Sequence, residues 1–267
     1  RELVTIHCDV PIEFHVEELI RSDMDVDALT HDFQDLEMYS LIPQAEALSG
    51  NGALPMEQPD KQYYTILTQT DLDSLVEKIT KADLVSFDLE TTSITPLEAE
   101  IVGLSFSVKA NEGWYIPIEY PEKESKPGLS LDAVLQEFKP IFENKKNCFC
   151  GQNIKYDALV LSRYDIHLAN MVFDTMIAEY MLHPEKNSYK MDYLAIDYLK
   201  YRMIPIDDLI GTGLHQKSMG EVPLEDISFY ASEDADIAFQ LTKILKEKLD
   251  EERLSEPYND IEIPLVP

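Results

Sequence analysis

Apolar and polar side chains alternate along residues 84–90, where Val85, Phe87 and Leu89 interleave with Ser86, Asp88 and Glu90. A period of two is the mark of a strand whose two faces differ. Comparable runs lie at Tyr63–Leu67, Ile101–Val108 (with Gly103 inside it) and Trp114–Ile118. The connections around Asn111 and Gly113 are short and turn-rich, so the strands at 84–90, 101–108 and 114–118 are predicted to form an antiparallel meander. Ahead of it, Thr70 stands three residues before Asp73, which predicts a capped helix running through Ile79. From Leu131 the period lengthens. The pattern predicts a helix to Phe142, a short strand at Cys148–Cys150, a helix from Ile154, a strand near Val172–Phe173 and a helix from Thr175. Strands that alternate with helices pair in parallel. Further helices follow, and the last runs from about Pro223 to Leu254, with Pro223, Glu225 and Asp226 suited to its first turn. The expected fold class is therefore α/β, a mixed sheet flanked by helices, without internal repeats.

The chain ends read differently. Residues 1–42 open with an extended stretch, Leu3–Ile6, followed by acidic helical segments. Residues 43–61 begin PQAEALSGNGALPMEQPD, rich in proline and glycine, and read as a linker. The start at Arg1 and the stop at Pro267 suggest a piece of something longer. No apolar run approaches the roughly 18 residues of a membrane span, and no signal peptide is legible. Three cysteines (Cys8, Cys148, Cys150) are too few for a disulfide framework and suit a reducing cytoplasm. Cys148 and Cys150 read as small core residues.

Composition raises an objection to any polyanionic partner. With 51 acids against 22 bases the net charge is −29, whereas gripping phosphates takes lysine and arginine. A chain of this kind needs bound metal ions, or a basic neighbour, to handle nucleic acid.

With so many acids a carboxylate motif is cheap. Asp-x-Glu occurs at Asp35–Glu37, Asp88–Glu90, Asp250–Glu252 and Asp260–Glu262. The Asp88–Glu90 pair is set apart because it lies on a strand, both carboxylates on the face away from the apolar one. Carboxylates that close repel each other unless a cation lies between them, and oxygen ligands suit a hard divalent ion; the alternative reading of the pair is an exposed polar strand face. In Gly151-Gln152-Asn153-Ile154-Lys155-Tyr156-Asp157, Asn153 can cap a helix starting at Ile154, with Asp157 one turn in. Asp174, in the similar Asn170–Asp174 spacing, reads as an N-cap without a catalytic role. In the last helix Tyr230 and Asp234 share a face, and Ala231, Ala235 and Ala238 form a small stripe that allows close approach to the sheet. Tyr193–Asp197 repeats the same spacing. The six histidines show no metal-ligand spacing, Gly211–Gly213 reads as a loop, and the Lys145-Lys146 and Lys200-Tyr201-Arg202 clusters read as solvated surface or phosphate contacts.

Taken in order, FDLETT, GQNIKYD and YASEDAD resemble the three exonuclease motifs of the DnaQ-like DEDD superfamily, in the variant with a tyrosine in the third. The segments VGLSFSV, FDTM, MDYLA and DADIAFQL are similar to those of bacterial family A DNA polymerases of the polymerase I type. The resemblance covers roughly residues 62–256. LVTIHCDVPIE, within residues 1–42, resembles the end of a 5′-nuclease domain, and NDIEIPLVP, within 257–267, the entry to a polymerase domain. It implies an RNase H-like fold and a 3′→5′ proofreading exonuclease that hydrolyses the terminal phosphodiester of DNA to nucleoside 5′-monophosphates. Two divalent cations, Mg²⁺ or Mn²⁺, are implied as cofactors, held by Asp88, Glu90, Asp157 and Asp234. Tyr230 matches the residue that positions the attacking water. Gln152, Asn153, Tyr156 and Thr91 match contacts to the terminal nucleotides, and Ile94 an apolar wedge, where leucine is the familiar residue. The implied partners are a single-stranded or frayed DNA 3′ end and covalently linked polymerase and 5′-nuclease domains. A monomer in the bacterial cytoplasm, near the nucleoid, is expected. Two alternatives stand beside this reading: an exoribonuclease of RNase D type, and a catalytically weak module joining two enzyme domains.

Overall fold

A computed structural model describes residues 11, 15, 24–42, 44–45, 60–118, 128–213 and 216–266. The expected stretch at Leu3–Ile6, Cys8 and most of the 43–61 linker lie outside the described residues. The chain divides into two compact units, Arg1–Leu54 and Pro55–Pro267. In the first, Val26–Asp35 forms a helix (α1) capped by Asp25, whose carboxylate accepts from the Ala28 N–H at 3.0 Å. A single 3₁₀ turn follows at Tyr39–Leu41, and Tyr39, Ile42 and Ala45 are buried.

The second unit is built on a six-stranded sheet. Its strands are β1 (Gln62–Thr65), β2 (Val85–Thr91), β3 (Ile101–Lys109), β4 (Glu112–Pro117), β5 (Phe149–Gly151) and β6 (Met171–Asp174). They lie in the order β1-β4-β3-β2-β5-β6. β2, β3 and β4 form the antiparallel meander, and β5 and β6 extend it in parallel from β2. β1 joins the far edge parallel to β4, a pairing that the sequence pattern does not specify.

The helices are α2 (Gln69–Thr80), α3 (Leu131–Phe142), α4 (Ile154–Ser162), α5 (Thr175–Leu182), α6 (Met191–Leu194), α7 (Ile206–Ile210), α8 (Leu224–Glu251) and α9 (Ser255–Pro257). The cap of α2 is Thr68, not Thr70: its side chain accepts from the Asp71 N–H at 3.2 Å, so the same Thr-x-x-Asp spacing operates two residues earlier than expected.

On one face of the sheet, Phe87 of β2 packs on Phe142 of α3 with ring centroids 4.8 Å apart, and Phe106 stacks on Phe138 at 4.7 Å. The other face of β2 bears Ser86, Asp88 and Glu90. It is not open to solvent, because α8 lies across it, and Ser86 and Glu90 are buried. Close approach depends on small residues. Ala231, Ala235 and Ala238 are buried, and a β-carbon added at Gly113 of β4 would lie 2.7 Å from the Ser232 carbonyl oxygen. The segment after α9 packs into the same unit. Tyr258 is buried, its hydroxyl accepting from the Asp174 N–H at 2.7 Å.

Candidate active site

β2 runs in the middle of the sheet, so its C-terminal end brings two carboxylates to a fixed place. Asp88 pairs with Ser105 and Glu90 with Gly103, and the register shifts between Glu90 and Thr91. Such an irregularity ends regular pairing and re-aims the chain that follows. α8 supplies Asp234 and, one turn earlier on the same side, Tyr230. One oxygen each from Asp88, Glu90 and Asp234 lies within 4.8 Å of the others. The fourth expected carboxylate, Asp157, is buried one turn into α4, where its Oδ1 accepts from the Leu89 N–H at 3.1 Å. It is thereby tied to the residue between Asp88 and Glu90.

The surroundings raise the cost of ionising these groups. Burial pushes the Asp88 carboxyl up to about 7. Burial, and then the charge of Asp88, drives Glu90 well above the usual range. Asp234 is raised by burial and by both Asp88 and Glu90. Asp157 is raised by burial and by Asp88, against the opposing pull of the Leu89 N–H. A buried carboxylate normally finds donors, yet Glu90 Oε1 is buried without a hydrogen-bond partner. An all-oxygen donor set, crowded, desolvated and with an orphaned acceptor, fits a hard divalent cation. Tyr230 is pushed upward by burial and then by Asp234, Glu90 and Asp88, so its hydroxyl keeps its proton through the ordinary pH range.

A cleft of about 980 Å³ opens at this point, and all ten sequence-predicted residues line it: Asp88, Glu90, Thr91, Ile94, Gln152, Asn153, Tyr156, Asp157, Tyr230 and Asp234. The Tyr156 hydroxyl donates to the Ser93 carbonyl and shares a hydrogen bond with Thr91 Oγ1 at 2.5 Å, which fixes the loop leading to Ile94. Ile94 itself is 96% exposed. Gln152 is held at both ends of its amide: Nε2 donates to the Tyr189 carbonyl at 2.8 Å, and Oε1 accepts from Thr175 Oγ1.

Asn153 does not cap α4 with its side chain. Its backbone is left-handed (φ 54°), not the extended form in which a capping side chain reaches back to the helix. Asp174 takes that role, accepting from Asn153 N at 3.2 Å and Ile154 N at 2.9 Å while also capping its own helix α5. Asp197, in the Tyr193–Asp197 spacing, pairs with Lys186 at 2.9 Å. Tyr201 is buried, with its hydroxyl bonded to Glu233, and neither surface lysine cluster lines the cleft. Sequence reasoning missed three further lining residues, Lys190, Asp192 and Lys217. The MDYLA resemblance was the signal available for Asp192.

Residues 63–250 match the family model described as 3′-5′ exonuclease. The chain belongs to this exonuclease family. DNA polymerase I of Pseudomonas aeruginosa is 34% identical over 274 residues, a match that covers 100% of this chain and 30% of the relative. The exonuclease chain thus spans about a third of that relative's length. Among solved structures, the POL domain of Pol1 from M. smegmatis, in complex with DNA primer-template and dNTP, superposes with a TM-score of 0.56 at 15% identity, over 76% of this chain and 30% of that one. Brucella melitensis NrnC with bound Mg²⁺ gives a TM-score of 0.52 at 15% identity, over 73% of this chain and 85% of that one. At such identities the two structures support the fold: a mixed sheet with flanking helices, RNase H-like as the sequence motifs imply.

Proposed function

We propose that this exonuclease trims DNA from a single-stranded or frayed 3′ end, as the proofreading part of a longer enzyme. In that enzyme residues 1–42 close a 5′-nuclease domain, 43–61 form a linker, 62–256 the exonuclease, and 257–267 lead into a polymerase domain. Asp88, Glu90, Asp157 and Asp234 would hold two divalent cations, Mg²⁺ or Mn²⁺. The observation that carries the reading is the convergence of three carboxylates within 4.8 Å in a cleft lined by all ten predicted site residues. Similarity to a DNA polymerase I along the whole chain favours DNA over RNA.

When bound, the cations supply the positive charge that lets these carboxylates ionise together, lower the pKa of a water and stabilise the departing 3′-oxygen. The remaining roles fall to the chain. Tyr230, kept as a phenol, orients the attacking water through its hydroxyl and does not serve as the base. Thr91, held by Tyr156, and Asn153 enclose the terminal sugar and phosphate. Ile94 presses against the last base, and Gln152 braces the loop at Tyr189. A frayed end costs less to unstack than a paired one, so mismatched termini are the favoured substrates.

The test is degradation of a 3′-labelled single-stranded DNA, and of an RNA of the same sequence, with and without Mn²⁺. DNA should be shortened stepwise to 5′-monophosphates, and Asp88→Ala should slow this by about 100-fold or more, since even groups outside the ligand set cost 10–100-fold. Preference for RNA, or activity that survives Asp88→Ala, would overturn the reading.

A further inference from the structure

The charge of −29 makes the grip on a nucleic-acid strand a problem that bound cations solve only at the scissile phosphate. The lining residues that sequence reasoning missed offer an answer for the rest of the strand. The acids along the cleft are Asp88, Glu90, Asp157, Asp192 and Asp234, and the basic side chains are Lys190 and Lys217. Both lysines are exposed, and neither lies within ion-pair distance of an acid among the described residues. The Lys190 charge does act on Asp192: burial raises that carboxyl, and Lys190 works against the larger upward push.

Their main chains are anchored although their side chains reach into solvent. Lys190 follows Tyr189, whose carbonyl accepts from Gln152, and it stands directly before α6. The Lys217 N–H donates to the Ile210 carbonyl at 2.8 Å, and the next residue, Ser218, enters a reciprocal capping box with Glu221. Two mobile ammonium groups on anchored backbone positions, in a cleft whose other charged lining is five carboxylates, suit an extended polyanion. An ammonium binds phosphate as a compact, rotatable charge, which suits a backbone read without regard to sequence.

We infer that Lys190 and Lys217 clamp backbone phosphates of the strand upstream of the scissile linkage, as specificity-determining residues for a polymeric substrate. This rests on the exonuclease reading above and adds where the strand leaves the site. The clamp should act on oligonucleotides and be indifferent to a mononucleotide ester, which has no upstream phosphate.

The experiment compares the full 267-residue chain with Lys190→Ala, Lys217→Ala and the double variant. Binding of a 5′-labelled single-stranded oligonucleotide is followed by anisotropy in Ca²⁺ over a salt series. Hydrolysis of the p-nitrophenyl ester of thymidine 5′-monophosphate is followed in Mn²⁺. Each substitution should weaken oligonucleotide binding on the order of tenfold at low salt and flatten the salt dependence by about 0.7 in log–log slope, the value for one phosphate contact on a single strand. Ester hydrolysis should stay within twofold of the unsubstituted chain. Unchanged oligonucleotide affinity and slope in the double variant would overturn the clamp, as would an equal loss on oligonucleotide and ester, which marks damage to the fold or the chemical centre. If the lysines prove necessary for binding RNA but the chain leaves DNA intact, the clamp stands and the DNA reading fails.

Discussion

At the scale of single residues, the site is a store of unfavourable energy held in place by its surroundings. Asp88, raised to about 7 by burial, sits beside Glu90 and Asp234, and each discourages the others from ionising. The proposed cation binding needs the ionised forms, and the metal-free fold would be better off without them. Asp88→Asn should therefore separate the two demands. In EDTA at pH 8 the variant should melt higher by about 5 °C, since about 1 kcal/mol moves the midpoint of a domain this size by about 2–4 °C, while nuclease activity in Mn²⁺ is lost. Calorimetric melts of both proteins check this, and a lower midpoint for Asp88→Asn would show that the carboxylate is stabilised by something other than a cation. The four-residue spacing that flagged Tyr230 and Asp234 applied equally to Tyr193 and Asp197, and only packing separates them: Asp197 pairs with Lys186, whereas Asp234 meets β2.

At the scale of elements, the decisive contact is α8 on the sheet. The alternation in β2 was legible and correctly placed Asp88 and Glu90 on one face. What the alternation could not tell is that this polar face is roofed, because a roof is supplied by a helix more than 130 residues further on, and its fit depends on Ala231, Ala235, Ala238 and Gly113 together. Gly113→Ala places a methyl group 2.7 Å from the Ser232 carbonyl, so the helix or the strand must shift. The substitution should cost about 1–3 kcal/mol, the usual range for overpacking a tight interface. It should also weaken Mn²⁺ binding, because Asp234 rides on the displaced helix. Urea melts and titration calorimetry with Mn²⁺ read the two effects, and stability unchanged to within error would mean that the close approach is not under tension. Caps show the same division between local and distant causes. Thr68 follows a local rule two residues away from the expected place, whereas α4 is capped by Asp174 from another strand, which no rule of spacing within the helix could supply.

For the whole molecule, the pH response follows from the sign of the shifts. The carboxyls of Asp88, Glu90, Asp157 and Asp234 are all raised in the folded chain. Between about pH 4, where unfolded carboxyls ionise, and the raised folded values, the unfolded chain has released protons that the folded chain keeps. Stability of the metal-free protein should fall as pH rises through that window, starting near 4 and, for Asp88, ending near 7. A cation binds the ionised set and must expel those protons. Stabilisation by Mn²⁺ should therefore be larger at pH 8 than at pH 5.5, reaching about 2.7 kcal/mol when the ion is at 100 times its dissociation constant. Thermal melts in EDTA and in Mn²⁺ at the two pH values decide it, and an equal shift at both would contradict the coupling of metal to these protons.

Periodicity, turn residues and motif order in the sequence determined the α/β class, the meander, the order of the later strands and helices, and the identity of ten of the residues that line the cleft. These are properties carried by short stretches of chain, where the backbone repeat itself decides which side chains share a face. Tertiary structure alone decided the parallel pairing of β1 with β4, the roofing of β2 by α8, the capping of α4 by Asp174, and the placing of Lys190 and Lys217 on the wall of an acidic cleft. Those features join residues far apart in the chain, and each depends on how whole elements pack, which no local pattern encodes.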